Sequence, residues 1–329
     1  MESEACIAVE DEAEGAGLRA VEVSVPASTS NLGAGFDCFG LALRLYLTVR
    51  ATVAPGASAP CRVRSRGEGA SRELPRTADN LIYRAMQFAA RAQGLKLPPV
   101  RLAVRNEIPL GGGLGSSAAA IIAGIKICSA LCGGDETPDW ALRAATRLEG
   151  HADNVAASLL GGLVITCNTG DGGVIALKKQ WPVDIRVIVV SPHAALETTH
   201  ARAALPRRVD RADAVYNLQR AALFCAALDA RADDLLWEAM QDRLHQSHRG
   251  PLVPGLAAAL ATPRVPGLVG LALSGAGPSV LALARSHFAE IGDLIAGNFH
   301  RAGIGATVRL LEVDDKGTQI KTRIKGYKG

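Results

Sequence analysis

The alternation of apolar and polar positions changes period several times along the chain, and each change predicts an element. Apolar, β-branched runs at 20 to 25 and 41 to 53, and a shorter one near 61 to 66, read as strands. Leu81, Ile82, Ala85, Met86 and Ala89 recur at helical spacing, which predicts a helix with Asp79 as its cap and Gly94 just past its end. Residues 100 to 107 (VRLAVRNE) alternate with period two and run into the turn PLGGGLG at 109 to 115, after which SSAAAIIAGIKICSAL reads as a buried helix. Thr137 as cap, Pro138 at the first position and Asp139 in the first turn predict a second helix to about Glu149, and a strand follows at 162 to 167.

The second half reads as strand 185 to 190, two helices between about 211 and 248, strand 268 to 273, a tight turn at GAGP, strand 279 to 284, helix 286 to 302 and strand 306 to 313. That is the order of a split βαβ, ferredoxin-like unit. The pattern therefore predicts an α+β chain of two domains with a cleft between them. Residues 1 to 18 are expected as an acidic extension, 19 to 175 as the first domain and 176 to 329 as the second. The boundary falls within 168 to 184, where DGG and a Trp-Pro step break the periodicity.

Composition narrows the class. A chain of 329 residues holds about two domains, and 48% apolar with 21% charged residues excludes a disordered tail protein. Net charge is +4, but Glu2, Glu4, Glu10, Asp11, Glu12 and Glu14 precede the first basic residue. The remainder therefore carries +10, from 36 basic and 26 acidic residues. Scattered charge with 4% aromatics suits an anionic small molecule and gives no nucleic-acid signature. Seven dispersed cysteines with no CxxC pair read as reduced thiols in a cytoplasmic compartment, and the acidic N-terminus resembles neither a secretory signal nor a transit peptide. Three uncharged stretches, 108 to 125, 154 to 170 and 265 to 284, are interrupted by glycines and are expected as buried strand, loop and helix, not as membrane spans.

The glycine loop carries the first chemistry. Gly111, Gly112, Gly113 and Gly115 precede Ser116 and Ser117 at a helix start, an arrangement whose backbone N–H groups and dipole favour phosphate. No Gly-Lys dipeptide occurs, which removes the Walker P-loop. Gly113, Gly115 and Ala118 satisfy a dinucleotide fingerprint, but Asp135 lies in a turn before another helix and cannot reach a ribose in that manner. With no loop lysine, a bound triphosphate would need Mg2+, for which Ser117 and Glu149 are candidate oxygen ligands. Each is equally readable alone, Ser117 as a helix cap and Glu149 as a solvated helix end.

Three segments, VPASTSNLGAGFDCFGLAL (25 to 43), PLGGGLGSSAAA (109 to 120) and LSGAGPSVLA (273 to 282), with EGHADNVAASLLGG (149 to 162) between them, resemble the GHMP superfamily of small-molecule kinases, and within it the homoserine kinases. The resemblance spans about 20 to 315. It implies a two-domain GHMP fold and ATP-dependent phosphorylation of the L-homoserine side-chain hydroxyl, a step of threonine biosynthesis. It places the triphosphate on Pro109, Leu110, Gly111, Gly112, Gly113, Leu114, Gly115, Ser116, Ser117, Ala118 and Ala119, and Mg2+ on Ser117 and Glu149. Asn80 matches a position near the adenine, and is also readable as a helix cap. Several members dimerise, so a homodimer through the N-terminal sheet is one expectation.

An amino-acid substrate needs a forked cation for its carboxylate, a carboxylate for its ammonium and an aimed hydroxyl. Arg202 and Arg249 match the two arginines of the family, and Thr198 a polar contact nearby. Asn31, Asp37, His151, Asp153 and Asn154 would line the rest of the pocket, although Asp37 and His151 are also readable as loop supports. Asn154 departs from superfamily members thought to use an aspartate base there. An amide accepts no proton at neutral pH, so Asn31 and Asn154 are expected to orient the hydroxyl while Ser117, Glu149 and the loop stabilise charge. Another GHMP kinase, of the mevalonate or shikimate class, and a non-catalytic sensor on the same fold stay open at this point.

Overall fold

A computed structural model describes residues 19 to 70 and 74 to 324. The acidic segment at 1 to 18 lies outside the described residues.

The first sheet has seven strands. β1 (Arg19–Asn31) and β2 (Gly35–Val53) form its long central pair, flanked by β3 (Cys61–Gly67), β4 (Val100–Asn106), β5 (Leu163–Asn168), β6 (Val174–Lys179) and β11 (Gln319–Ile324). At 19 residues β2 is long enough to serve two partners. Val53 to Leu47 pair with β4, and Leu41 to Phe39 pair with β5. The buried face carries Val21, Val23, Val25, Val49, Ala51, Leu102 and Val63, in the period of two that strands impose.

Four helices cover that face: α1 (Leu81–Ala92), α2 (Ser116–Cys132), α3 (Pro138–Glu149) and α4 (Asp153–Leu160). α2 is apolar on all sides because β1, α1, α3 and α4 surround it. Gly124 permits the closest approach, since a Cβ there would stand 2.2 Å from the carbonyl oxygen of Ile82 on α1. Thr137 caps α3 as its sequence predicts, accepting from the N–H of Trp140. The cap of α1 is Asn80, not Asp79: its Oδ1 accepts from Ile82 N at 3.0 Å and its Nδ2 donates to Pro75 O at 2.8 Å.

The second sheet runs β10-β7-β9-β8, from β7 (Arg186–Pro192), β8 (Leu268–Leu273), β9 (Val280–Ala284) and β10 (Ala306–Leu311), all antiparallel to their neighbours. This is the strand order of the predicted ferredoxin-like unit. The long connection from β7 to β8 holds α5 (Thr198–Ala203), α6 (Arg211–Ala230), α7 (Leu236–Ala239), α8 (Gln246–Arg249) and α9 (Leu256–Leu260), and α10 (Phe288–Arg301) precedes β10. α9 and α10 close one core with Ile188, Val190, Leu273 and Phe299. Val187, Val189 and Leu281, on the other face, join the first core through Phe224, Leu236 and Met240.

Three expectations are corrected. Only the first of the two helices between 211 and 248 is continuous. Asp242 breaks the second, its carboxylate accepting from Leu244 N, His245 N and Gln246 N and from the Asn217 side chain. The step at 175/176 falls inside β6, which extends the first sheet as a hairpin with β5. The chain also returns to the first sheet after β10, where Asp314 N donates to Ala42 O and β11 pairs with β1. The three uncharged stretches fold as glycine loop plus α2, α4 plus β5, and β8-turn-β9. No helix among the described residues is long and apolar enough to cross a membrane. None of the six described cysteines is in a disulfide, and burial pushes Cys61 and Cys128 up to about 11 and about 12, which keeps both protonated.

Candidate active site

A cleft between the two sheets is walled by the end of β1, the glycine loop, the start of α2, the α3–α4 turn, α5, α8 and the β8–β9 turn.

Its phosphate-like end is made by backbone. Gly111, Gly113 and Gly115 hold φ of 66°, 76° and 69°, the left-handed region that favours glycine. The loop is clamped from both sides: Ser28 N donates to Leu114 O, Leu196 N to Gly111 O, and Ser274 Oγ to Gly113 O at 2.8 Å. Gly115 caps α2 without a side chain, and the first backbone bond of that helix is Ala119 N to Gly115 O. The N–H groups of Ser116, Ser117 and Ala118 thus have no acceptor among the described residues, and an anion is their natural partner. Pro109, Gly111 to Gly115, Ser116 and Ser117 line the cleft. Leu110 packs over Gly69 instead, and Ala118 and Ala119 are fully buried and do not line the cleft. Ser117 Oγ donates to Glu149 Oε2 at 2.7 Å, which joins the ends of α2 and α3 that the sequence could only permit to meet. Asn80 is absent from the walls. Its buried amide is spent on the cap of α1.

The opposite end is made by side chains. Arg202 forks onto Asp37 through two bonds of 3.1 and 2.7 Å, and this pairing holds the guanidinium above its ordinary range. Arg249 is 1% exposed and forms no ion pair among the described residues. Its Nε donates to Ala201 O, and its Nη1 to Gly275 O and to His245 Nδ1. Burial first, then the charge of Arg202, pushes Arg249 down to about 10, so it stays charged at neutral pH. His245 is fully buried; its Nε2–H donates to Gly33 O, which leaves Nδ1 to accept from Arg249. Desolvation pushes His245 down and keeps it in that neutral form. The Phe36 ring backs the group, stacked on His245 at 5.2 Å with both guanidiniums near its face.

Between the ends lies a polar seam. Asn154 Nδ2 donates to Ser30 Oγ at 2.9 Å, and its Oδ1 accepts from Ser28 Oγ at 3.1 Å. Asn31 Nδ2 donates to Gly275 O, and its Oδ1 accepts from Asp37 N. Each amide keeps one N–H and one lone pair for a ligand. His151 Nδ1 donates to Asp153 Oδ1 at 2.7 Å. Burial opposes both charges, but the pairing prevails: His151 is held above its ordinary range and Asp153 below. Thr198 opens α5 on the wall beside Arg202. Of the predicted site residues, the cleft therefore gathers Asn31, Asp37, Ser117, Glu149, His151, Asp153, Asn154, Thr198, Arg202 and Arg249. His245, Phe36, Ser28, Ser30 and Ser274 were not anticipated. The run ASTS, hydroxyls in an otherwise apolar strand, was the available signal for the two β1 serines.

A seven-stranded sheet under four helices, joined to a ferredoxin-like unit across a glycine loop at a helix start, is the GHMP kinase fold. Residues 80 to 162 match the family model for the GHMP kinases N terminal domain. The chain is 40% identical over 298 residues to homoserine kinase of Solibacter usitatus, covering 91% of this chain and 96% of that protein. It is 38% identical to homoserine kinase of Moorella thermoacetica, covering 91% and 99%. The crystal structure of homoserine kinase from Cytophaga hutchinsonii superposes with a TM-score of 0.78 at 28% identity, covering 92% of this chain and 97% of that one. The chain belongs to the homoserine kinase family.

Proposed function

We propose that this enzyme transfers the γ-phosphoryl group of ATP to the side-chain hydroxyl of L-homoserine, giving O-phospho-L-homoserine. One observation carries the reading: a single cleft sets an anion-seeking helix start, with an oxygen pair at Ser117 and Glu149, opposite a buried guanidinium that has no carboxylate partner among the described residues. The first end suits a triphosphate and the second an amino acid's carboxylate.

In this reading the triphosphate lies along Pro109 to Ala119, held by the free N–H groups of α2. The hydroxyl and carboxylate of Ser117 and Glu149 are hard oxygen donors of the type Mg2+ takes, and they fit that ion. When bound, Mg2+ offsets phosphate charge. Arg249 receives the homoserine carboxylate, and Arg202, fixed by Asp37, flanks it. The carboxylates of Asp37 and Asp153 face the ammonium. Asn31 and Asn154 use their spare N–H and lone pair to aim the hydroxyl at the γ-phosphorus. Asp37 and Asp153 are each already bound to a cation, so neither is a ready base. The hydroxyl proton then leaves to the phosphate or to water. Asn80 supports the fold of the nucleotide side through α1.

Retention of Ser117, Glu149 and the whole loop favours catalysis over a sensor, and the paired arginines favour an amino acid over mevalonate or shikimate. The family favours a cytoplasmic setting. ADP release with ATP and Mg2+ is expected with L-homoserine and not with D-homoserine, L-serine, L-threonine, mevalonate or shikimate, and is abolished by EDTA. Equal turnover with mevalonate, or none with L-homoserine, overturns the proposal.

A further inference from the structure

The outer face of the first sheet, away from the helices and the cleft, carries a cluster of arginines on β3 and β4, with Glu22 of β1 opposite Arg50 of β2 at its border. β3 and β4 run parallel with Arg62 beside Arg101 and Arg66 beside Arg105, and Arg64 stands between them on β3. Arg101 registers with Thr52 of β2, and Ala103 with Arg50. Because directly paired residues share a face, these side chains point the same way while Val63, Leu102, Val104, Val49 and Ala51 fill the core. Arg62, Arg64, Arg66, Arg101 and Arg105 are exposed. Only Arg105 has an acidic partner, Glu107 at 2.6 Å; the others form no ion pair among the described residues. Like charges side by side on neighbouring strands repel, so this face is incomplete as it stands.

We propose that the arginine face docks the acidic N-terminal segment of the same chain. Glu2, Glu4, Glu10, Asp11, Glu12 and Glu14 carry six negative charges, with no basic side chain before Arg19. The tether ends at the right place: Ala20 pairs with Thr52, Thr52 with Arg101 and Arg101 with Arg62, one continuous row. At about 4.8 Å between strands, Arg62 lies roughly 14 Å from Ala20 across the sheet. The six residues from Glu14 to Ala20 can span about 20 Å, and the ten from Glu10 about 33 Å. The acids from Glu10 to Glu14 therefore reach the Arg62 and Arg101 row without strain. Single exposed pairs are weak and screened by salt. Several on one tether act together at an effective concentration of about a millimolar. The segment then serves as a cover that keeps a basic surface from adhering to nucleic acid, which the same guanidiniums would otherwise attract.

The test uses the full chain and a glutamate-specific protease, with release of N-terminal peptides followed by mass spectrometry. At about 20 mM salt, where screening is weak, cleavage after Glu10, Glu12 and Glu14 is expected to be at least about five-fold slower in the parent than in R62Q/R64Q/R101Q. The R62K/R64K/R101K chain should stay protected, and high salt should erase the difference. Homoserine-kinase activity reports folding, since none of these arginines lines the cleft. Equal cleavage of parent and glutamine variant at low salt overturns the proposal. Protection that fades on dilution places the segment on a second copy and overturns it too. Heparin supplies the other arm: a chain with the six acids changed to Gln or Asn should elute at higher salt than the parent. Equal elution means the face is open to outside polyanions, and the cover is refuted.

Discussion

Under the proposed function, the two ends of the cleft solve opposite problems with opposite materials. The phosphate end must bind a group common to many enzymes and does so with backbone. Its N–H groups are aimed by three left-handed glycines, and its carbonyls are held by bonds donated by Ser28, Leu196 and Ser274. The acceptor end must distinguish one small molecule and does so with side chains drawn from β1, β2, α4, α5 and α8. Arg249 and Asn154 are fixed by His245 and Ser28, which need not touch the substrate, whereas Arg202 and His151 are fixed by Asp37 and Asp153 of the pocket itself. The difference teaches where each end is vulnerable: the first to any side chain added to its loop, the second to loss of a particular atom.

The largest expected effect is therefore at the loop. A Cβ on residue 113 would lie 2.2 Å from Ser274 O and 2.8 Å from Gly277 O, both backbone, at a φ of 76°. Gly113→Ala should lower stability by about 3 kcal/mol, at the upper end of what such strain costs, and should reduce kcat/KM for ATP and homoserine together. Thermal unfolding and steady-state kinetics check this, and a fall for homoserine alone would break the division drawn between the ends. Arg249→Lys comes next. A point charge replaces a fork that three acceptors orient, so homoserine KM should rise by about 2 kcal/mol, roughly 30-fold, with ATP KM unchanged. The same change at Arg202, whose side chain is 35% exposed, should cost less.

That contrast also explains what the sequence allowed to be read. Backbone sites announce themselves, because only glycine tolerates those dihedrals and only a helix start presents free N–H groups. Residues 109 to 117 were thus readable as chemistry before any fold was known. Ser117 and Glu149, 32 positions apart, were readable only as a possibility, because their meeting depends on α3 ending beside the start of α2. His245 was not readable. A lone histidine in a predicted helix gives no sign that Asp242 will break that helix and turn the ring beneath Arg249. β11 was missed for a similar reason: QIKTRI has strand character only once β1 offers it an edge.

Asn154 sharpens the comparison, since its amide is held at both ends by β1 serines while lining the cleft. If it aims the hydroxyl, Asn154→Ala should lower kcat by about ten-fold, the worth of one well-placed hydrogen bond, without moving ATP KM. A loss of stability with kcat intact would make it a strut for Ser28 and Ser30 instead.

The smallest effect tests the charge pair between the two ends. The His151 pKa is raised above 6.5, so the stabilisation it draws from Asp153 is fully present below the ordinary imidazole range and is lost as pH climbs through the raised value. The Asp153 pKa is depressed below 3.8, so its share is present above the ordinary carboxylate range and vanishes only in acid, as pH falls through the lowered value. The pair is intact between those limits and opens on the alkaline side first. Once His151 is neutral, Asp153 loses its counter-charge in a site where it is 1% exposed, and the acceptor pocket loosens more than the phosphate end, where His151 only neighbours Glu149 at 3.9 Å. Homoserine KM should therefore rise a few-fold from neutral to mildly alkaline pH while ATP KM changes less, and His151→Gln should remove the slope. A slope that survives in His151→Gln, or one that appears equally in ATP KM, would mean that the two ends do not respond to pH separately.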